Sequence, residues 1–335
     1  MPISLTKTFP RLWSLDAGLA MVVADLHGDG EAYRRYRDRF VDLQAGGRAD
    51  YLIFTGDLIH REDEGLDQSV EIVRDVLALQ ASYGQAIIYL CGNHELPHLY
   101  NISLAKGNRV FTPTFELAMK QQQCRAEVIA LFDRLPFYLR TRAGVALAHA
   151  GAAPSLVESE TAQRLFHWDH QQLLQWADEI LTAEDIEILR LSYARVHRGP
   201  YDLLARYQLA VSGPDDPRYD DLLRGFVASS HPAFDKVLWP ALFTRCEHEY
   251  GKTDYAIFLN AMLQELSGDF QPQEFLIAGH ITIKGGYQVV ADRHLRLASA
   301  YHATPREAGQ YVLFDTGQRV KSMKDLLKKL GSVYK

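Results

Sequence analysis

The sequence predicts an α/β fold, and three observations predict it. Short apolar runs recur along the chain, each one ends in a polar cluster, and helix-like stretches separate the first of them. The run Leu19-Ala20-Met21-Val22-Val23-Ala24 ends in Asp25 and is followed by a charged helical stretch over about residues 31–44. Tyr51-Leu52-Ile53-Phe54-Thr55 precedes a second helix near residues 67–82, and Ala86-Ile87-Ile88-Tyr89-Leu90 forms a third strand. Val145-Ala146-Leu147-Ala148 then runs into His149, and Phe275-Leu276-Ile277-Ala278 into Gly279 and His280. In open α/β sheets the carboxyl ends of the strands converge on one crevice, so residues far apart in sequence meet there.

Three regions depart from this pattern. Residues 154–235 read as an inserted helical cap, with Leu173, Leu174, Trp176, Ile180 and Leu181 at helical spacing. After His280 come three short alternating runs around Tyr287, Leu295 and Tyr311, expected to form a second, more antiparallel sheet. Residues 321–335 read as a basic amphipathic helix docked on the protein's own body. The whole of residues 1–335 is expected to be one domain carrying this cap.

Composition narrows the class of function. The chain has 335 residues, 47% of them hydrophobic, and a formal net charge of -6, so it lacks the basic field of a nucleic-acid binder. Cys91, Cys124 and Cys246 are an odd set without C-x-x-C spacing, which argues against a disulfide framework or a zinc ribbon. Residues 1–19 lack the apolar centre of a signal peptide, and no apolar run approaches the roughly 20 residues of a membrane helix. The expectation is a cytoplasmic protein with no membrane span.

The polar clusters at the strand ends carry metal-ligand chemistry. Asp25 and His27 lie two residues apart, where a bend at Gly28 can aim both at one ion. Gly56-Asp57 adds a carboxylate, and Gly92-Asn93-His94-Glu95 adds an amide oxygen and an imidazole; His149 and His280 complete the set. Mixed oxygen and nitrogen donors without cysteine suit Mn, Fe or Zn better than Ca or a structural zinc site. A single histidine or aspartate at a strand end is usually a hydrogen-bonding or capping residue. Five strand ends that each deliver a ligand-type residue make a common site the better explanation.

These motifs resemble those of the calcineurin-like metallophosphoesterases, and within them the phosphoprotein phosphatase family of serine/threonine phosphatases. Asp25-Leu26-His27-Gly28 is similar to G-D-I-H-G, with Ala24 in place of the first glycine; Gly56-Asp57-Leu58-Ile59-His60-Arg61 resembles G-D-x-V-D-R-G. Gly92-Asn93-His94-Glu95 matches G-N-H-E, His149-Ala150-Gly151 is similar to H-G-G, and Ala278-Gly279-His280 stands for R-A-H. Leu238-Trp239, Arg245, Gly286-Tyr287 and Ser299-Ala300 extend the likeness, which covers about residues 19–151 and 236–315.

The resemblance implies a four-layer sandwich of two mixed β-sheets flanked by helices, with a dinuclear site at strand carboxyl ends. It implies that Asp25, His27 and Asp57 bind one ion, that Asp57, Asn93, His149 and His280 bind a second, and that the ions are divalent or trivalent, Mn first. Two such ions lower the pKa of a bridging water and bind phosphoryl oxygens during in-line attack. Arg61 and Arg245 would clamp the phosphoryl group, and His94 would protonate the leaving group. Three departures stand out. His60 replaces the aspartate of D-R-G, Glu62 replaces its glycine, and Thr282 occupies the place of the second histidine that many related phosphodiesterases carry after Gly-His. The implied activity is phosphomonoester hydrolysis, with phosphoserine or phosphothreonine protein as substrate and partner.

Competing expectations are a diadenosine-tetraphosphatase-like or other nucleotide hydrolase, with Trp168, Trp176, Tyr193, Tyr201 and Tyr207 available to stack on a base, and a non-catalytic metal-binding scaffold. His94-Glu95-Leu96-Pro97-His98 also matches the zinc protease pattern H-E-x-x-H, but Pro97 inside it disfavours helix at Leu96.

Overall fold

The computed structural model describes residues 4–243 and 250–334. The chain divides into two compact units. One comprises Met1–Asn93, Arg134–Trp168 and Val237–Lys335; the other comprises His94–Asp133 and Asp169–Lys236.

The first unit opens with β1 (Leu5–Phe9) and β2 (Leu12–Leu15), then β3 (Leu19–Val23), α1 (Gly30–Ala45), β4 (Tyr51–Phe54), α2 (Ser69–Tyr83) and β5 (Ile87–Tyr89). Its two large sheets are both mixed. In one, β3, β4 and β5 run parallel, and β15 (Tyr311–Asp315) lies antiparallel on the free edge of β3. In the other, β8 (Tyr138–Thr141), β9 (Val145–Ala148), β10 (Phe275–Ala278), β13 (His294–Leu297) and β12 (Tyr287–Val290) follow one another in space, with β2 and β1 beyond β8.

Alternation within each strand sets the layers. Val22, Ile53, Ile88 and Val312 of one sheet share a core with Leu139, Leu147, Ile277 and Leu295 of the other, so the sheets face each other across it. The opposite faces are covered by helices. Tyr33 of α1 stacks on Phe54, while on the other sheet Tyr255, from the helix Gly251–Ser267, holds His294 Nδ1 at 2.8 Å through its hydroxyl. The outcome is helix, sheet, sheet, helix, as expected.

The strand membership differs from the sequence expectation. The five strands that lead to ligand-type residues do not share one sheet: β3, β4 and β5 belong to one, β9 and β10 to the other. The runs after His280 are also divided, β12 and β13 joining β10 while β15 joins β3. Strands buried on both faces read as continuous apolar runs, and such runs do not specify their neighbours.

The C-terminal helix expected over residues 321–335 is shorter. Met323–Leu327 is helical with Leu326 fully buried, and β16 (Leu330–Gly331) then pairs with β15. The apolar residues Met323, Leu326, Leu327 and Leu330 all pack on the core between the sheets.

The helical unit also differs in extent from the cap expected over residues 154–235. It takes in α3 (Leu96–Tyr100), the short hairpin of β6 (Ala105–Lys106) and β7 (Arg109–Val110), α4 (Thr112–Gln121) and α5 (Arg125–Asp133), as well as helices from His170 to Ser230; residues 154–168 belong to the sheet unit. A buried ionic cluster joins its two chain segments. Glu116 accepts from His98 at 2.9 Å, from Arg125 at 2.8 Å and from Arg218 at 3.1 Å. Burial by itself would raise the Glu116 carboxyl, but the His98 hydrogen bond and the two guanidinium charges outweigh it and hold the group at about 2. Burial also keeps His98 below the ordinary histidine value, so the neutral ring donates Nδ1–H to a carboxylate that can only accept.

This cluster sets a test. Glu116 is depressed in the folded state, so its contribution is complete above the ordinary carboxylate range, about 4.5, and is lost as pH falls toward 2. Glu116→Gln should cost about 3 kcal/mol at pH 7, since it takes the shared carboxylate from two partly buried guanidinium groups, leaving Arg125 its Asn101 hydrogen bond and Arg218 its Asp221 pair. Urea unfolding at pH 7 and pH 3 should show a smaller pH-dependent loss in the variant than in the wild type; equal losses would remove Glu116 from the account.

Candidate metal centre

Loops after strands of both sheets build the site. Leu26 and His27 donate their backbone N–H groups to the Asp57 carbonyl at 3.0 and 2.9 Å, and Gly28 donates to Leu58 at 2.8 Å. The loop after β3 is thereby laced to the loop after its parallel neighbour β4. On the other sheet, Gly279 N–H donates to the His149 carbonyl at 2.9 Å. The two sheets meet where the His280 N–H lies 3.0 Å from each oxygen of Asp25.

Close approach dictates the glycines. At Gly56, where φ is +115°, a Cβ would stand 2.6 Å from His149 Nδ1; at Gly279 it would stand 1.8 Å from an Asp25 oxygen. Three ligand-type residues also take left-handed backbone: His27 at φ +44°, Asp57 at +51° and His280 at +70°. Non-glycine residues there are strained by roughly 1 kcal/mol or more each. The inter-loop hydrogen bonds hold them in place.

Within the sheet unit the ligand-type side chains lie on either side of Asp57. Asp57, His149 and His280 form one group, with their ligand atoms all within 4.8 Å of one another; Asp25 and His27 belong to another. Asp57 Oδ2 lies 3.4 Å from His149 Nε2 and 3.6 Å from His27 Nε2, between the two. His149 Nδ1 is 3.1 Å from the Thr55 carbonyl, which can only accept, so the proton is on Nδ1 and the Nε2 lone pair points into the site. Asn93 Oδ1 and His280 Nδ1 are each 3.0 Å from that Nε2.

Burial makes the charge balance demanding. Asp25 and Asp57 are fully buried, and burial, the largest influence, pushes the Asp25 carboxyl up to about 7; the neighbouring His149 opposes this and Asp57 adds to it. Two adjacent buried carboxylates facing imidazole nitrogens and an amide oxygen form a donor set that fits divalent or trivalent cations, which would neutralise both carboxylates. All six ligand-type residues expected from the sequence are thus brought together.

The remaining expected site residues are placed less uniformly. Arg61 is half-buried and its guanidinium lies 3.4 Å from Asp29, which also receives a two-pronged contact from Arg306 at 2.7 and 2.9 Å. His60 is buried, in left-handed backbone at φ +71°, with its N–H bonded to Ser69 Oγ at 2.7 Å. His94 follows Asn93 directly and its ring packs at 5.4 Å from Phe111. Arg245 lies outside the described residues. Leu96 is helical after all: Pro97 stands in the first turn of α3, where a missing N–H costs nothing. His98 is occupied by Glu116, so it offers no second zinc ligand on that helix.

One residue of the site is absent from the set expected from the sequence. His302 places Nε2 3.1 Å from His27 Nε2 and joins the group of Asp25 and His27. Its signal is the stretch Ser299-Ala300-Tyr301-His302, in which a histidine follows shortly after the family-like pair Ser299-Ala300.

A family model and several known proteins are similar to this chain. Residues 20–231 match the model of the family described as calcineurin-like phosphoesterase. A Caenorhabditis elegans protein named "Putative serine/threonine-protein phosphatase" is 24% identical over 165 residues, which is 49% of this chain and 42% of that protein. The chain thus matches less than half the length of this relative. A Saccharomyces cerevisiae protein serine/threonine phosphatase described as similar to human PP5 aligns at 13% identity and TM-score 0.47, over 93% of this chain and 78% of the other. A metallophosphoesterase from Sphaerobacter thermophilus aligns at 12% identity and TM-score 0.33, over 93% and 92%. The family match covers well over half of the chain and includes the loops that carry Asp25, His27, Asp57, Asn93 and His149. The chain belongs to the calcineurin-like phosphoesterase family, whose members typically bind a dinuclear metal centre.

Proposed function

We propose that this chain is a metal-dependent phosphomonoesterase acting on phosphoserine or phosphothreonine protein. The observation that carries the proposal is the position of Asp57 Oδ2 between His27 Nε2 and His149 Nε2, which divides the donors into two sets sharing one carboxylate. Asp25, His27 and Asp57 would hold one ion, and Asp57, Asn93, His149 and His280 the other. When bound, the ions acidify water and offset the charge of the phosphoryl oxygens.

The residues of the chain do the rest. Asp57 keeps the two positions in register through the Leu26 and His27 hydrogen bonds to its carbonyl. The Thr55 carbonyl fixes the His149 tautomer. Arg61 offers a planar fork to phosphoryl oxygens, and Arg245 is assigned the same task. His94 gives a proton to the departing alkoxide. Manganese is the favoured ion and the cytoplasm the favoured compartment; among the described residues no helix is long and apolar enough to cross a membrane.

A nucleotide hydrolase receives less support. Of the five aromatics available to stack on a base, Tyr193 and Tyr201 are buried in the core of the helical unit and Trp168 is buried in the sheet unit, which removes those three; Trp176 is half-buried and Tyr207 exposed. A dead scaffold is disfavoured because no ligand-type residue is lost. With Mn present, phosphoserine and phosphothreonine peptides should be hydrolysed faster than mononucleotides or dinucleoside polyphosphates. Preference for a dinucleoside polyphosphate would overturn the substrate assignment and leave the metal site standing.

A further inference from the structure

We infer that His302 is a further metal ligand, completing the set that Asp25 and His27 begin, and that Thr282 is the residue that positions it. This rests on the proposed ligand roles of Asp25, His27 and Asp57.

The backbone brings His302 to the site by a route of its own. Beyond β13 the chain passes through Ser299, whose hydroxyl accepts from Ala24 N–H at 2.8 Å and donates to the Gln310 carbonyl at 2.7 Å. Ser299 thus anchors the loop to the residue that precedes Asp25. Immediately after His302, β14 (Ala303–Thr304) pairs in parallel with β11 (Ile283–Lys284), and Ile283 N–H donates to the His302 carbonyl at 2.9 Å. His302 is therefore held on both sides, beside the loop that carries His280 and Thr282.

The side chain is equally constrained. His302 Nδ1 lies 3.1 Å from Thr282 Oγ1, while Nε2 lies 3.1 Å from His27 Nε2 and 3.9 Å from Asp25 Oδ1. One ligand atom from each of Asp25, His27 and His302 lies within 4.8 Å of the others. The Tyr301 ring packs against both imidazoles, at 4.1 Å from His27 and 5.1 Å from His302. The His302 ring is largely out of solvent, with 12% of its side chain exposed.

Two imidazole nitrogens at 3.1 Å can share one proton or one cation. When Thr282 Oγ1 accepts the Nδ1 proton, the Nε2 lone pair of His302 faces the same point as those of Asp25 and His27. This is the arrangement in which an outer hydrogen-bond partner selects the tautomer and aim of a metal-binding histidine. The ion of this group would then have one more protein donor than the family motifs supply, and correspondingly fewer positions for water or substrate.

The test is metal counting on the full chain, stripped of metal and titrated with Mn(II), with the free-ion electron paramagnetic resonance signal as readout. Wild type should bind two ions. His302→Ala should weaken one of the two by at least about tenfold and leave the other unchanged, and His302→Asp, which supplies an oxygen donor in place of the ring nitrogen, should recover part of the loss. Thr282→Val, which removes only the hydroxyl, should weaken the same ion by about tenfold. Circular dichroism of the metal-free variants checks that they fold, and Thr282→Val serves as the test where His302→Ala does not. Two ions bound with wild-type affinity by both variants would overturn the role of His302 and leave the two-ion reading intact. A wild type that binds no Mn(II) would overturn both.

Discussion

Asp57→Asn is expected to lose both bound ions and to lower turnover of an aryl phosphate by on the order of 10³ or more, the largest effect of any single change at the site. Asp57 is the one carboxylate placed between the two groups, 3.6 Å from His27 Nε2 and 3.4 Å from His149 Nε2. An amide of the same shape keeps one oxygen donor but removes the charge, so neither position retains its shared anion. The metal-free protein should not suffer in parallel. Asp25 is already raised by burial and by the neighbouring Asp57 charge, so Asp57→Asn relieves a like-charge contact between buried groups. Thermal unfolding of the metal-free variant should therefore occur at or above the wild-type temperature, while Mn(II) should stabilise the wild type alone. Turnover within tenfold of wild type would remove Asp57 as the bridging ligand.

His94→Ala should separate chemistry from metal binding. Asn93 is one of the proposed donors and His94 is the next residue in the chain, so its Cα lies about 3.8 Å further on. A general acid there contributes typically 10²–10⁴-fold, and only where the leaving group needs a proton. Hydrolysis of an alkyl phosphate or phosphoserine peptide should fall by about that factor; an aryl phosphate, whose phenolate leaves more easily, should fall much less. Mn(II) stoichiometry should remain two. Equal losses for both leaving groups would reassign His94 to a structural part, such as its packing on Phe111. The buried His60, where the family motif has an aspartate, makes the pH profile of the wild type informative beside that of His60→Asp.

Most of the donor set is legible in the amino-acid sequence. Asp25, His27, Asp57, Asn93, His149 and His280 each follow a short apolar run, and the glycines at 56 and 279 stand where the structure leaves no room for a Cβ. Those features are local: an apolar tetrapeptide makes a strand and a glycine permits the turn that ends it. His302 shows the opposite case. It lies in a loop between short strands, without a strand-end motif of its own, and the Ser299 hydrogen bond to Ala24 together with the pairing of Ala303 with Ile283 brings it beside His27. Arg61 is intermediate, since its type and position are visible in the sequence but its contact with Asp29 is not.

Local sequence thus specifies that this chain builds strands ending in ligand-type side chains, and which residues those are. The tertiary structure alone decided that the strands divide between two mixed sheets, that the helical unit is assembled from two chain segments around Glu116, and that His302 joins the site. The physical reason is the range of the interactions. Backbone preference and donor type belong to a residue and its near neighbours, whereas the partner of a strand buried on both faces is chosen by packing between distant segments, which apolar runs of similar composition do not encode one by one.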